Sequence, residues 1–283
     1  MKILSKRIYK YICKKIYKTK FYKNIEIRFV KKYLNDRYLI TLEDFQKKMN
    51  CNIAFDIITI NDTTLYLTEK GTSNTLNILK REFSKDIYDF NNIKFKPGDV
   101  VVDIGANIGI VSIYLAKKYP FLKIYAFEPC RENYEHLLLN MKINNITSET
   151  IIAHNKAITK DGRLVCMNLN PNNLGGSSLD NIILIGGKKE EKNSNIQSTT
   201  LSCIIDEYNI KKIKLLKIDC EGSEYEILYN TPTELLNKIE ILRGEFHENK
   251  TLTKEFDIDK LYAYIKNYIN DINVTKSRAC FIV

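Results

Sequence analysis

The sequence holds no C-x-x-C pair, only five prolines and three histidines, and no uncharged apolar run long enough to cross a bilayer. Its seven cysteines, at 13, 51, 130, 166, 203, 220 and 280, are odd in number and scattered. That usage argues against a disulfide scaffold or a cysteine zinc site and fits a reducing compartment. The most apolar uncharged run, residues 104–116, has 13 residues, against the ~18–20 that a membrane span needs. Lys or Arg interrupts the first 20 residues every few positions, so no secretory signal is expected and a cytoplasmic location is. Of the 283 residues, 44% are hydrophobic, enough to offset the ordering entropy of one large domain or two small ones.

The net charge of +10 is unevenly placed. Residues 1–50 carry 15 Lys/Arg and 4 Asp/Glu, whereas the remaining 233 residues are net −1. The expectation is therefore a basic arm over 1–50 and a nearly neutral domain over 51–283. A pI near 9.0 is then a poor argument for nucleic-acid binding, because one segment makes the field. Leu4, Ile8, Ile12 and Ile16 recur every four residues, as do Lys2, Lys6, Lys10, Lys14 and Lys18. The two rows lie on opposite faces of a helix. Such a helix either packs its apolar row on the domain or lies on an anionic membrane through residues 1–20, which would place the protein at the inner membrane surface.

Beyond the arm, short strands are expected at 53–60 and 64–67 around an Asn-Asp turn, and a helix at 73–83. After Pro97-Gly98 the apolar period alternates: strands at 99–104, 123–127, 150–153, 214–219 and 239–246, helices at 108–118, 131–144, 224–230, 232–238 and 257–269. That alternation indicates βαβ units and a parallel sheet. Between 161 and 198 the rhythm breaks, with a strand at 163–169 and loop-like Asn-, Ser- and Gly-rich stretches at 171–178 and 186–195.

Chemistry is concentrated in three places. VVDIGANIG (101–109) sits at a strand-to-helix junction, where Gly105 and Gly109 allow a tight turn and the helix start offers free N–H groups. Asp103 just before the first glycine suits a cationic amino group, hence S-adenosylmethionine, better than a pyrophosphate. Glu128 lies 25 residues further on, at the end of the next strand, where a carboxylate can hydrogen-bond both ribose hydroxyls. LLKIDCEGSE (215–224) ends an apolar strand in Asp219, Glu221 and Glu224, acids that face the same crevice as Asp103. Glu224 also fits a plain helix-start acid that complements the dipole. GEFH (244–247) places His247 at a strand's carboxyl end, whereas His136 on a helix and His154 after a strand fit hydrogen-bonded structural roles.

VVDIGANIG, AFEP, AITKDG (157–162), GGSSL (175–179), LLKIDCEGSE and GEFH occur in the order found in the FkbM family of S-adenosylmethionine-dependent methyltransferases, which residues 97–250 resemble. The resemblance implies a class I methyltransferase fold: a Rossmann-like, seven-stranded, mostly parallel sheet with one antiparallel strand and flanking helices. It implies methyl transfer to a hydroxyl of a sugar, glycan or other small metabolite. By position it places Asp103, Gly105 and Gly109, with Ala106 and Asn107 between them, on the methionine part of the cofactor. It places Glu128 on the ribose and the turn of Asn155 and Ala157 near the adenine. Asp219, Glu221 and His247 then line the acceptor side, His247 as base or the acids as holders of a divalent metal such as Mg2+.

Two other readings stand beside this one. The basic arm prompts a nucleic-acid or protein methyltransferase. The strand ending at Asp219 continues Cys-Glu-Gly, however, without the Asn/Asp-Pro-Pro-Tyr/Phe run used on bases, and an acidic acceptor site repels phosphate, so no nucleic-acid partner is expected. A cofactor-binding module without turnover is the third, opposed by the complete set of Asp103, Glu128, Asp219, Glu221 and His247.

Overall fold

The structure, a computed structural model, describes residues 53–60, 62–70, 86–169, 178–179, 191–248 and 257–278. The expected basic arm over 1–50, its amphipathic rows and the helix expected at 73–83 lie outside the described residues.

Strands β1 (Ile53–Ile60) and β2 (Thr63–Lys70) form an antiparallel hairpin whose turn holds Asp62 at a φ of 66°. A 3-10 turn at Phe90–Asn92 precedes β3 (Val100–Ile104), α1 (Ile110–Lys118), β4 (Lys123–Phe127), α2 (Arg131–Ile143) and β5 (Ile151–His154). Five short strands follow: β6 (Ala157–Ile158), β7 (Val165–Leu169), β8 (Ser178–Leu179), β9 (Glu191–Ile196) and β10 (Ser198–Thr199). The βα rhythm returns with α3 (Leu201–Glu207), β11 (Ile213–Ile218), α4 (Glu224–Asn230), α5 (Thr233–Leu236), β12 (Ile239–Glu248), α6 (Ile258–Ile265) and β13 (Asp271–Arg278).

The central sheet has the order β13-β12-β11-β3-β4-β5, with every pair parallel. Strand order reverses between β3 and β11, which opens a crevice at their carboxyl ends. Both faces are covered, and successive residues divide between them. Val101, Ile124, Leu215 and Ile241 pack with α1, α2 and the hairpin. Val102, Tyr125, Leu216 and Leu242 pack with α3, α4 and α6 on the other side. The hairpin is tied down by side chains of α2 and the turn after it. Asn140 Oδ1 accepts the Thr68 N–H at 2.8 Å, and Asn144 Oδ1 accepts the Tyr66 N–H at 3.0 Å, satisfying backbone donors that would otherwise be left unpaired.

Two expectations are corrected. The sheet has six strands, not seven, and no antiparallel member among the described residues. The place beside β12 is filled by β13 in parallel register from Ile241 to Glu248, so no antiparallel strand enters there. Residues 191–196 read as loop from their polar composition but form β9, because β7 supplies a hydrogen-bonding partner for their backbone. Of the GGSSL run, Ser178 and Leu179 form β8, and the rest lies outside the described residues.

Candidate active site

The loop after β3 is shaped by residues that a side chain would block. Gly105 has a φ of 74°, and a Cβ there would come within 1.9 Å of the Asp219 carbonyl oxygen. Gly109 caps α1 at a φ of 87°, and its Cβ would meet Leu137 Cδ1 at 2.2 Å. Both glycines thus serve close packing of β11 and α2 on the loop. The Gly105 and Ala106 N–H groups both donate to the Phe127 carbonyl at 3.0 Å, pinning the loop to the end of β4.

Glu128, 5% exposed, stands beside this loop. One carboxylate oxygen accepts the Asn107 N–H at 2.7 Å and the other the Cys130 N–H at 2.8 Å. Burial pushes its pKa up to about 7, against the downward pull of those two donors and of Lys217. Asn155 Nδ2 donates to the carbonyls of Glu128 and Pro129 at 2.8 and 3.0 Å, and the buried Ala157 N–H donates to Gln197 O at 2.9 Å. Asn107, Glu128 and Asn155 are therefore joined in one hydrogen-bonded corner. Asp103 is fully enclosed: Ser112 Oγ donates to its Oδ2 at 2.6 Å and Lys217 Nζ lies 3.3 Å from its Oδ1. In this conformation it acts behind the loop, not on its surface.

On the other side of the crevice, Asp219 Oδ2 accepts from Tyr88 Oη at 3.3 Å. The fully buried Glu224 opens α4; its Oε1 accepts the Cys220 N–H at 3.0 Å and lies 3.0 Å from His247 Nδ1. His247 Nε2 lies 3.4 Å from Glu221 Oε2 and 4.0 Å from Glu245 Oε1. Burial alone would lower the His247 pKa, but the charge and hydrogen bond of Glu224, with Glu221 and Asp219, raise it to about 10. Burial raises Glu221 to about 8, opposed by His247. The carboxylates around His247 thus favour its protonated form over the free imidazole base that the sequence pointed to. Asp219, Glu245 and His247 offer ligand atoms within 4.8 Å of one another, the trio that could hold a cation; Glu221 is outside it.

The expected residues therefore converge in two groups, Asn107, Glu128 and Asn155 on one wall and Asp219, Glu221 and His247 on the other. Gly105 packs against Asp219 where the two meet. Sequence reasoning missed three members, Lys217, Glu245 and Tyr88, whereas Glu224 was already among the expected crevice acids. Lys217 and Glu245 stand inside the quoted motifs, and a lysine in an apolar strand was the available signal. Glu224 holds His247 as well as opening a helix. Tyr88 comes from a segment with no motif. His136 bonds Thr68 Oγ1 at 3.1 Å, and His154 bonds Tyr208 Oη at 2.9 Å while stacking on Phe127, so both are structural.

The model of the methyltransferase FkbM domain matches residues 103–271 of this chain. Among curated proteins, methyltransferase sdnD of Sordaria araneosa is 29% identical over 181 residues, covering 56% of this chain and 69% of that protein. The 31-O-demethyl-FK506 methyltransferase FkbM of Streptomyces tacrolimicus is 25% identical over 191 residues, covering 59% and 72%. Among solved structures, methyltransferase FkbM from Methylobacillus flagellatus KT has a TM-score of 0.42 and 18% identity over 65% of this chain. This chain covers 41% of that structure's chain.

Proposed function

Because the chain belongs to the FkbM family and is an S-adenosylmethionine-dependent methyltransferase, we propose that it methylates a hydroxyl oxygen of a small-molecule or glycan acceptor. The observation that carries this reading is the acid- and His-lined wall of Asp219, Glu221, Glu245 and His247, packed through the Asp219 carbonyl against the loop at Gly105. One relative's name also specifies a demethylated oxygen as its acceptor.

The bound cofactor supplies an electrophilic methyl on a cationic sulfonium. This chain's residues do the rest. The backbone of 105–109 and the Glu128 carboxylate would hold the cofactor, with Glu128 accepting from the ribose hydroxyls. The carboxylates of the acid wall would favour a cation in the crevice and would orient an acceptor hydroxyl toward the methyl group. An alcohol must lose its proton as the new bond forms. The carboxylates around His247 favour its protonated form, so the proton passes to a carboxylate of the same wall. Asp219, half-buried at the switch point, is the one assigned. His247 pins Glu221 and Glu224 in place. The same wall disfavours phosphate, which counts against a nucleic-acid acceptor.

A second reading of proton removal has its own observation, the trio of Asp219, Glu245 and His247. The two carboxylates suit Mg2+ or Mn2+, Mn2+ also takes an imidazole once His247 gives up its proton, and a cation there would acidify a bound hydroxyl. Chelator that abolishes turnover, with restoration by Mn2+ or Mg2+, would select it over direct transfer to Asp219.

The test uses methyl-tritiated cofactor, the full chain and a fractionated cell extract. A labelled, base-stable ether in a small-molecule or glycan fraction supports the proposal. Label in protein, in RNA or in a base-labile ester overturns it.

A further inference from the structure

Lys217 is 3% exposed on β11, in the middle of the sheet, and a buried ammonium is retained at a cost in desolvation. Its register partners are Asp103 on β3 and Arg243 on β12, so three charged residues lie side by side across three strands. Arg243 is occupied elsewhere: it pairs with Asp271 at 2.7 Å and with Asp89 at 3.6 Å. Lys217 turns to the crevice. Its Nζ donates to the Gly105 carbonyl at 2.7 Å and lies 3.3 Å from Asp103 Oδ1 and 4.0 Å from Asp219 Oδ2.

Those three partners belong to both walls. Gly105 opens the loop after β3, Asp103 stands behind it near the end of β3, and Asp219 begins the acceptor side. The two walls also touch through backbone, since the Asp219 N–H donates to the Ile104 carbonyl at 3.1 Å. A lysine that only stabilised the sheet would need a single carboxylate. This one spans two, together with the carbonyl of the first residue of the loop. Its positive charge also offsets part of the negative charge that draws a sulfonium into the crevice.

We infer that Lys217 is a positioning residue that locks the cofactor loop to Asp219 and sets how strongly the crevice prefers the cationic methyl donor over its neutral thioether product. The inference rests on the methyltransferase reading above. Product release needs the crevice to let a neutral thioether go and admit a cation again, and the net charge beside Gly105 governs that exchange. For a sulfonium seated ~10 Å from Nζ, one unit charge at an effective dielectric constant of ~20 would change affinity roughly tenfold.

The experiment is calorimetric titration of the full chain with S-adenosylmethionine and with S-adenosylhomocysteine, read as the ratio of the two dissociation constants. Lys217→Met removes the charge and should raise the preference for the cation about tenfold, while Lys217→Arg keeps the wild-type ratio. Equal weakening of both ligands, or an unchanged ratio, would mean a purely structural lysine and would overturn the inference. If Lys217→Met does not fold, Asp103→Asn tests the same balance from the other side. With Lys217 left unbalanced, the ratio should fall about tenfold, and an unchanged ratio again overturns it. A wild-type chain that binds neither ligand would instead sink the methyltransferase reading itself.

Discussion

Replacing Glu128 by Gln probes cofactor binding and folding by separate readouts. The side chain keeps its shape but loses one acceptor: Asn107 N–H and Cys130 N–H both point at Glu128 oxygens, and an amide NH2 can face only one oxygen's place as a donor. One backbone donor is then left unsatisfied, at about 1–3 kcal/mol. Against that, the folded-state pKa of about 7 lies above the ordinary 4.5. A carboxyl whose pKa is raised on folding is most favourable below 4.5 and loses stability as pH rises through 7. The loss amounts to about 3 kcal/mol for a shift of this size. Glu128→Gln should therefore destabilise the chain near pH 5 and be close to neutral near pH 8, flattening the pH dependence measured by urea unfolding. S-adenosylmethionine affinity should fall roughly 10- to 150-fold at pH 8, the loss of charge-assisted bonds worth ~1.5–3 kcal/mol. Unchanged affinity in a folded variant, or an unchanged pH slope, would refute the assignment of Glu128 to the ribose and to the buried corner respectively.

Gly105→Ala should cost about 2–4 kcal/mol in thermal or urea unfolding, since its Cβ meets a backbone oxygen that cannot swing aside; a variant of normal stability would show that β3 and β11 do not approach as described. His247 is raised to about 10, so its contribution is full below 6.5 and lost as pH rises through 10; His247→Gln should remove that alkaline loss, which a pH series of melting temperatures would detect. Turnover should fall on His247→Gln without an imidazole-like step in the pH–rate profile, and a step near 6.5 in the wild type would restore His247 as the base. Deleting residues 1–20 should abolish co-sedimentation with anionic vesicles and leave cofactor affinity intact; if the shortened chain unfolds, the apolar row belongs to the core.

What the sequence made legible follows from periodicity. The strand of VVDIG, the helix behind it and the apolar run LLKI all announce themselves through burial on two faces or one, and their carboxyl ends locate the crevice. Glu191–Ile196 did not, because a polar strand is held by its neighbour's backbone and has no apolar pattern to display. The sheet count failed because the parallel pairing of β13 with β12, the strand before it, is a tertiary choice that its residues do not encode locally. Within the site, Asp219, Glu221 and His247 were readable as residues at strand ends, but their protonation was not. It depends on Glu224 lying 3.0 Å from His247 Nδ1, a contact between two elements that no local spacing encodes. Tyr88 shows the limit plainly, since only the folded chain brings its hydroxyl to Asp219.

The central claim is that the crevice between β3 and β11 seats the methyl donor between Glu128 and the acid wall. A crystal structure of the full chain with S-adenosylhomocysteine tests it most directly. The account predicts both ribose hydroxyls on the Glu128 carboxylate and the sulfur between Gly105 and Asp219. A nucleoside bound elsewhere, or a Glu128 that makes no contact with the ribose, would contradict it.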